Sequence, residues 1–130
     1  MSSTNAMEDH LLNYLLLDVV PPVLGTVYLA LFTADPTESG SYTNEVTGGA
    51  YARQEVTFAT PVDGTCSNSS VISFPIATAL WGDISHYAIV TELTGTSGLM
   101  LFRDSIAVTQ TIDTGARFQS AIGDFVIVVS

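Results

Sequence analysis

Two histidines, one cysteine and thirteen carboxylates are the residues from which this 130-residue chain could build a catalytic or metal centre. His10 and His86 are far apart, and no His-x-x-x-His, Glu-x-x-His or cysteine pair accompanies either. A zinc site takes three or four ligands at characteristic spacings, so both histidines read as structural residues. Cys66 is alone, which excludes an intrachain disulfide. It sits in a polar stretch read as a loop, with no neighbouring base to activate a thiolate. Serines are plentiful, but no Gly-x-Ser-x-Gly elbow strains one into exposure. Gly48-Gly49 and Gly95–Gly98 lack the lysine of a phosphate loop. Asp35-Pro36-Thr37-Glu38 matches no EF-hand spacing, and Asn68-Ser69-Ser70 is a glycosylation triplet of a kind common by chance. These residues predict no enzyme, no cofactor and no bound metal.

Charge narrows the partners. Three arginines and no lysine stand against thirteen acidic residues, for a formal net charge of −10. Nucleic-acid binding and adhesion to anionic membranes both draw on clustered basic side chains, so neither is expected. Arg53 lies beside Glu55, Arg103 beside Asp104 and Arg117 near Asp113, which points to local or intersubunit ion pairs. Only 12% of residues are charged, about half the usual share, and Thr, Ser, Gly and Asn take their place. Such a surface suits a protein packed against neighbours, though it also suffices for solubility.

The elements that would position these residues follow from periodicity. Length and the absence of a linker predict one domain over residues 1–130. A helix is expected over about 5–19, with Asn5 as N-cap and Glu8 closing a capping box. Met7, Leu11, Tyr14 or Leu15, and Asp18 or Val19 recur at helical spacing, and Pro21-Pro22 ends the element. The apolar stretch from Leu11 to Leu24 is too short to span a bilayer and is interrupted by Asn13, Asp18 and the prolines. Glu8 and Asp9 precede it, where a signal peptide would carry positive charge, so synthesis and retention in the cytoplasm are expected.

From Gly25 onward the pattern is that of short strands. Thr26–Thr33 is apolar on both faces, as in a strand buried on both sides. Further strands are expected at Arg53–Ala59, Ser70–Phe74, Ser85–Thr91, Gly98–Val108, Arg117–Ala121 and Asp124–Val129, separated by Asx-Gly and Ser/Thr-Gly turns. Asp35–Gly49, polar and without apolar periodicity, reads as a long mobile or partner-contacting loop. The fold class is therefore mostly β: an antiparallel β-sandwich, jelly-roll-like, with one N-terminal α-helix. Trp81, between two strands, is a core or corner residue more often than a recognition side chain, but it is retained as an interface candidate.

Longer stretches of the chain carry a resemblance. Tyr28-Leu29-Ala30-Leu31-Phe32-Thr33-Ala34-Asp35-Pro36-Thr37-Glu38-Ser39-Gly40 and Glu45-Val46-Thr47-Gly48-Gly49-Ala50-Tyr51-Ala52-Arg53-Gln54 are the most specific. Ser73-Phe74-Pro75, Ala79-Leu80-Trp81-Gly82 and His86-Tyr87-Ala88-Ile89 continue it. With the Leu-rich opening segment, these resemble a family of small phage virion proteins labelled tail fibre or head decoration (cement) proteins. The resemblance implies a structural virion protein with no catalytic residues, synthesised in the host cytoplasm. Taken with small size and acidity, it favours a capsid decoration protein on the outer shell: a homo-oligomer, a trimer, bound across subunits of the major capsid protein. The alternative is a tail-associated or receptor-binding module that touches a host glycan or protein. Candidate interface residues are Leu11, Leu12 and Leu15 on the helix, Glu38 and Tyr42 in the long loop, and Trp81.

Overall fold

A computed structural model describes residues 1–19 and 25–128; Pro21-Pro22 and Val129 lie outside the described residues. In chain order the elements are β1 (Ser2–Ser3), α1 (Asn5–Leu17), β2 (Val27–Phe32), β3 (Gln54–Val56), β4 (Thr65–Ser67), β5 (Ile72–Ser73), β6 (Gly82–Val90), β7 (Met100–Ile112), β8 (Gln119–Ser120) and β9 (Val126–Val128). The fold is mostly β with one helix, and the strand pairings are antiparallel. A five-stranded sheet runs β1-β7-β6-β2-β3, and β4-β9 and β5-β8 form two-stranded ribbons. The ribbons stand in place of a second full sheet, so jelly-roll pairing is not seen among the described residues.

The alternation along β2 places its side chains in two cores. Leu29 and Leu31 join Ile84, Tyr87 and Ile89 of β6 in the larger one, which the ribbon-bearing segment closes with Ile72, Phe74, Phe118 and Phe125. Ala30 and Phe32 join Ala88, Val90 and Met100 in a smaller core on the opposite face, against which Tyr28 and Tyr42 pack. Both faces of β2 are buried, as its two-sided apolar pattern requires. Aromatic rings concentrate in the larger core. Phe74 lies parallel to Tyr51 at 6.0 Å and meets Trp81 and Phe118 edge-on at 6.3 and 5.6 Å.

The Gly48-Gly49-Ala50 turn brings Tyr51 into this cluster. All three residues have positive φ, and the Tyr51 N–H returns to the Gly48 carbonyl at 3.0 Å. Gly49 is required for a second reason: a Cβ there would lie 2.9 Å from Trp81 Nε1. That Nε1–H donates to the Gly49 carbonyl at 2.8 Å, which satisfies the one polar atom of a ring that is 5% exposed. Trp81 is therefore a core residue, and its place among the interface candidates is corrected.

Several local expectations shift. The N-cap is Thr4, not Asn5: Thr4 Oγ1 accepts from the Met7 N–H, while its own N–H is held by the Leu101 carbonyl. Glu8 is then one residue too late for a capping box and accepts instead from Ser3 Oγ. The helix ends at Leu17, with Asp18 left-handed at φ 55°. Cys66 lies on β4 rather than in a loop, half-buried, with Sγ 3.2 Å from the Ala59 carbonyl. The Asp35–Gly49 segment is packed rather than loose: Pro36 and Val46 are buried, and Glu45 bridges back to Phe32. Nothing in the composition of that segment signals this, because its ties are to distant backbone.

Candidate functional site

The titratable groups do not converge. Among the described residues no three of His, Cys, Asp and Glu come close enough to hold an ion. His10 is on α1, and His86 on β6 has Nδ1 2.8 Å from Ser85 Oγ. The densest polar cluster surrounds Arg53. Its Nε and Nη2 donate to Glu45 Oε2 and Oε1 at 2.7 and 2.6 Å, a bidentate pair. Nη1 donates to the Glu92 carbonyl at 2.8 Å and Nη2 to the Gly95 carbonyl at 2.7 Å. The guanidinium carbon also sits 5.1 Å from the centre of the Tyr42 ring. These bonds occupy nearly all of the donors of an arginine. The cleft of about 370 Å³ beside it, lined by Thr47, Gly48, Leu93 and Thr94 among others, therefore finds its cation already spent. The cluster is a staple joining three chain segments, not a ligand site.

Its tyrosines titrate late. Burial raises Tyr51, and the adjacent Glu45 carboxylate, which accepts from its hydroxyl at 2.8 Å, adds to the rise. Burial also raises Tyr42. Tyr87, on β6, is pushed up to about 12 by burial first and by Asp104 second. A folded state that holds a phenolic proton above the pH at which the unfolded chain releases it loses stability as pH rises. Below pH 10 these tyrosines are neutral in both states and contribute no slope. Between about pH 10 and pH 12 each raised tyrosine contributes up to about 1.4 kcal/mol of lost stability per pH unit. Urea midpoints measured from pH 8 to pH 11 should be level and then fall above pH 10; a level profile throughout would show that these hydroxyls are solvated.

The surface feature that stands apart is α1. Thr4 and the Met1 amino group, which pairs with Asp104 at 3.3 Å, fasten its N-terminal end to β7, and the Asn5 N–H donates to the Glu38 carbonyl. Beyond that end the helix carries Leu11-Leu12-Asn13-Tyr14-Leu15-Leu16-Leu17, with no charged residue. None of its residues is buried. Leu12, Leu15, Leu16 and Leu17 are 55%, 70%, 73% and 69% exposed, and Tyr14 is about half exposed. The wet part is the C-terminal half of the helix: Leu11 is partly sheltered, whereas every residue from Leu12 to Leu17 is exposed. Met7 and Leu11, the most sheltered apolar residues, share one side, and Leu11 lines a cleft with Phe102, Met1 and Glu38. Leu15, one turn beyond Leu11 on the same side of the helix, is exposed together with Leu12 and Leu16, so the exposure follows position along the helix and not one face.

Of the candidate interface residues, the structure brings Leu11 and Glu38 together on that cleft and exposes Leu12 and Leu15 on the helix. It separates Tyr42 from them. Tyr42 is half-buried, packs on Phe32 and donates to the Gly98 carbonyl at 3.2 Å, so it braces the loop from inside. Leu16 and Leu17 were not among the candidates, although an uncharged run with leucine on every side of the helix is the signal for them.

No curated protein matches the chain. A family described as podophage GP4 fiber I protein gp80 matches residues 2–128, nearly its full length. A mostly β chain with one apolar helix, matched over that length, belongs to this gp80 fiber I family and is a structural protein of the phage virion.

Proposed function

We propose that this chain is a non-catalytic building block of a virion fibre, held in place by apolar contacts with neighbouring subunits. The observation that carries the reading is the exposed leucine surface of α1. Several other apolar side chains are exposed, Val62, Leu80, Val108 and Ile122 among them, but the helix gathers Leu12, Leu15, Leu16 and Leu17 on one short element, and contiguous apolar surface of that kind marks an interaction site. The fiber family supports the location. The staple at Arg53 and the aromatic core suit a rigid unit whose task is to keep its shape under load. Recognition of a host glycan draws no support from Trp81, whose ring is inside the core.

Quantitative mass spectrometry of purified particles tests the reading against capsid decoration. A fibre protein is present at a few copies per hundred of the major capsid protein. A ratio near one to one would overturn the fibre assignment and place the protein across the capsid shell, bound to the major capsid protein.

A further inference from the structure

We propose that the cleft between β7 and β8 binds one neutral sugar ring, a hexose or N-acetylhexosamine unit. The Tyr87 and Ser120 hydroxyls, the Gln110 and Gln119 amides and the Asp124 carboxylate would hold it. The proposal goes beyond the fibre reading, which assigns the chain no ligand. The cleft exists because β7 does not follow its neighbour evenly. Between Ile84 and His86 of β6 the partner on β7 jumps from Gln110 to Ser105, so Ile106–Thr109 bulge out opposite Ser85. Bulges re-aim side chains and are over-represented beside active sites. On its other side β7 pairs with β1 at Phe102 and Arg103, short of this stretch. The space that remains, about 340 Å³, is of the size of small-ligand sites, roughly 300–1,000 Å³.

Two of the lining groups distinguish this cleft from a surface irregularity. Tyr87 and Ser120 are 8% and 7% exposed, yet neither hydroxyl has a hydrogen-bond partner among the described residues. Native structures leave few polar groups in that state. Both residues line the cleft, so the hydroxyls of a molecule seated there supply what each lacks. Gln110 and Gln119, exposed on β7 and β8, add two amides that donate as well as accept. Asp124 accepts the Ala121 N–H on Oδ2 at 2.9 Å, which fixes the carboxylate and leaves Oδ1 to accept from a ligand.

The chemistry of these groups selects the ligand. None of the lining side chains is basic and the chain carries a net charge of −10, so phosphates, sulfates and acidic sugars are disfavoured. A calcium ion takes six or more oxygen ligands, and Asp124 is the one carboxylate among the lining residues. A wholly apolar ligand would leave the hydroxyls and amides unpaired. A sugar ring carries hydroxyls at its edge and C–H groups on its faces. The cleft matches that division, with polar groups converging over an apolar floor of Ile106, Phe118 and Phe125. The two phenylalanine rings are buried in the core and serve as floor, not as stacking platforms. Affinity then rests on hydrogen bonds and is modest, with a Kd on the order of 1 mM for a single ring.

The test titrates the full, isotope-labelled chain with glucose, galactose, mannose, N-acetylglucosamine and N-acetylgalactosamine while amide NMR spectra are recorded. Sialic acid is the anionic control. The expected result is a saturable shift of the Gln110, Gln119, Ser120 and Phe125 amides with at least one neutral sugar, and none with sialic acid. Tyr87→Phe removes a hydroxyl that bonds nothing in the fold, so it should weaken binding by about tenfold or more at an unchanged urea midpoint. Gln119→Ala, at an exposed position, should do the same. Thr94→Ala, in the cleft beside Arg53, should leave the affinity unchanged. No saturable response to any of the five sugars would overturn the proposal, as would shifts centred outside the cleft, equal binding of sialic acid, or binding indifferent to both Tyr87→Phe and Gln119→Ala. Shifts of the same amides on raising the protein concentration alone would overturn it in favour of a second copy as occupant. Copy number in particles is a separate quantity, so the fibre reading and the sugar site fail separately.

Discussion

Arg53→Ala should lower the unfolding free energy by about 3–5 kcal/mol, the usual cost of breaking a buried ion pair from one side. The Arg53 side chain is 4% exposed and that of Glu45 is 11%, so neither charge has water to fall back on. Truncation leaves the Glu45 carboxylate in the interior with the Tyr51 hydroxyl as its remaining side-chain donor, and it frees the Glu92 and Gly95 carbonyls. The damage should be structural as well as energetic, since Arg53 is what ties the 92–95 turn to the loop at Glu45. Arg53→Lys should recover only part of the loss, because an ammonium cannot reproduce the two-pronged contact. Arg53→Ala combined with Glu45→Ala should cost less than the two single changes added together, since the double variant strands no charge. Urea unfolding of the wild type and the four variants measures this. A loss below about 1 kcal/mol for Arg53→Ala would mean that the pair behaves as a solvated surface bridge.

Phe74→Ala should be nearly as costly, at about 3–5 kcal/mol, for a different reason. Phe74 is 1% exposed and stands between Tyr51, Trp81 and Phe118, so its removal opens a cavity at the junction of the sheet and the ribbon-bearing segment. The surrounding rings are held by other ties and cannot collapse freely. Trp81 is bonded to the Gly49 carbonyl, and the Tyr51 hydroxyl is fixed between Glu45 and the Leu31 N–H. Phe74→Leu, which keeps most of the volume, should cost less than half as much. The decisive quantity is the difference between the two variants at equal denaturant slope. Equal losses would point to a specific aromatic interaction and not to a cavity.

The parts of this molecule legible in its residues are those governed by short-range periodicity. The helix, the two-sided apolar strand β2 and the long strands β6 and β7 each carry a pattern that repeats within one element. Local sterics and burial suffice to specify them. Strands without room for a pattern were not legible. Ser2–Ser3 and Thr65–Ser67 are strands only because Arg103 and Phe102, and Val126 to Val128, supply partners far along the chain. The N-cap moved by one residue for the same reason, since a distant carbonyl at Leu101 fixes Thr4.

Pairings across the fold were decided by tertiary structure. The nearest carboxylate to Arg53 in the sequence is Glu55, but side chains two apart on a strand share a face without meeting end to end. The chain folds Glu45 back against Phe32 and presents it to the guanidinium instead. A leucine-rich helix announces that it will be buried somewhere, because solvated leucine is unfavourable on any side. Which leucines its own domain covers, and which it leaves for others, depends on how α1 leaves β1 and crosses β7. Thr4, Asp104 and Glu38 hold its N-terminal end, a joint role that only the folded chain reveals.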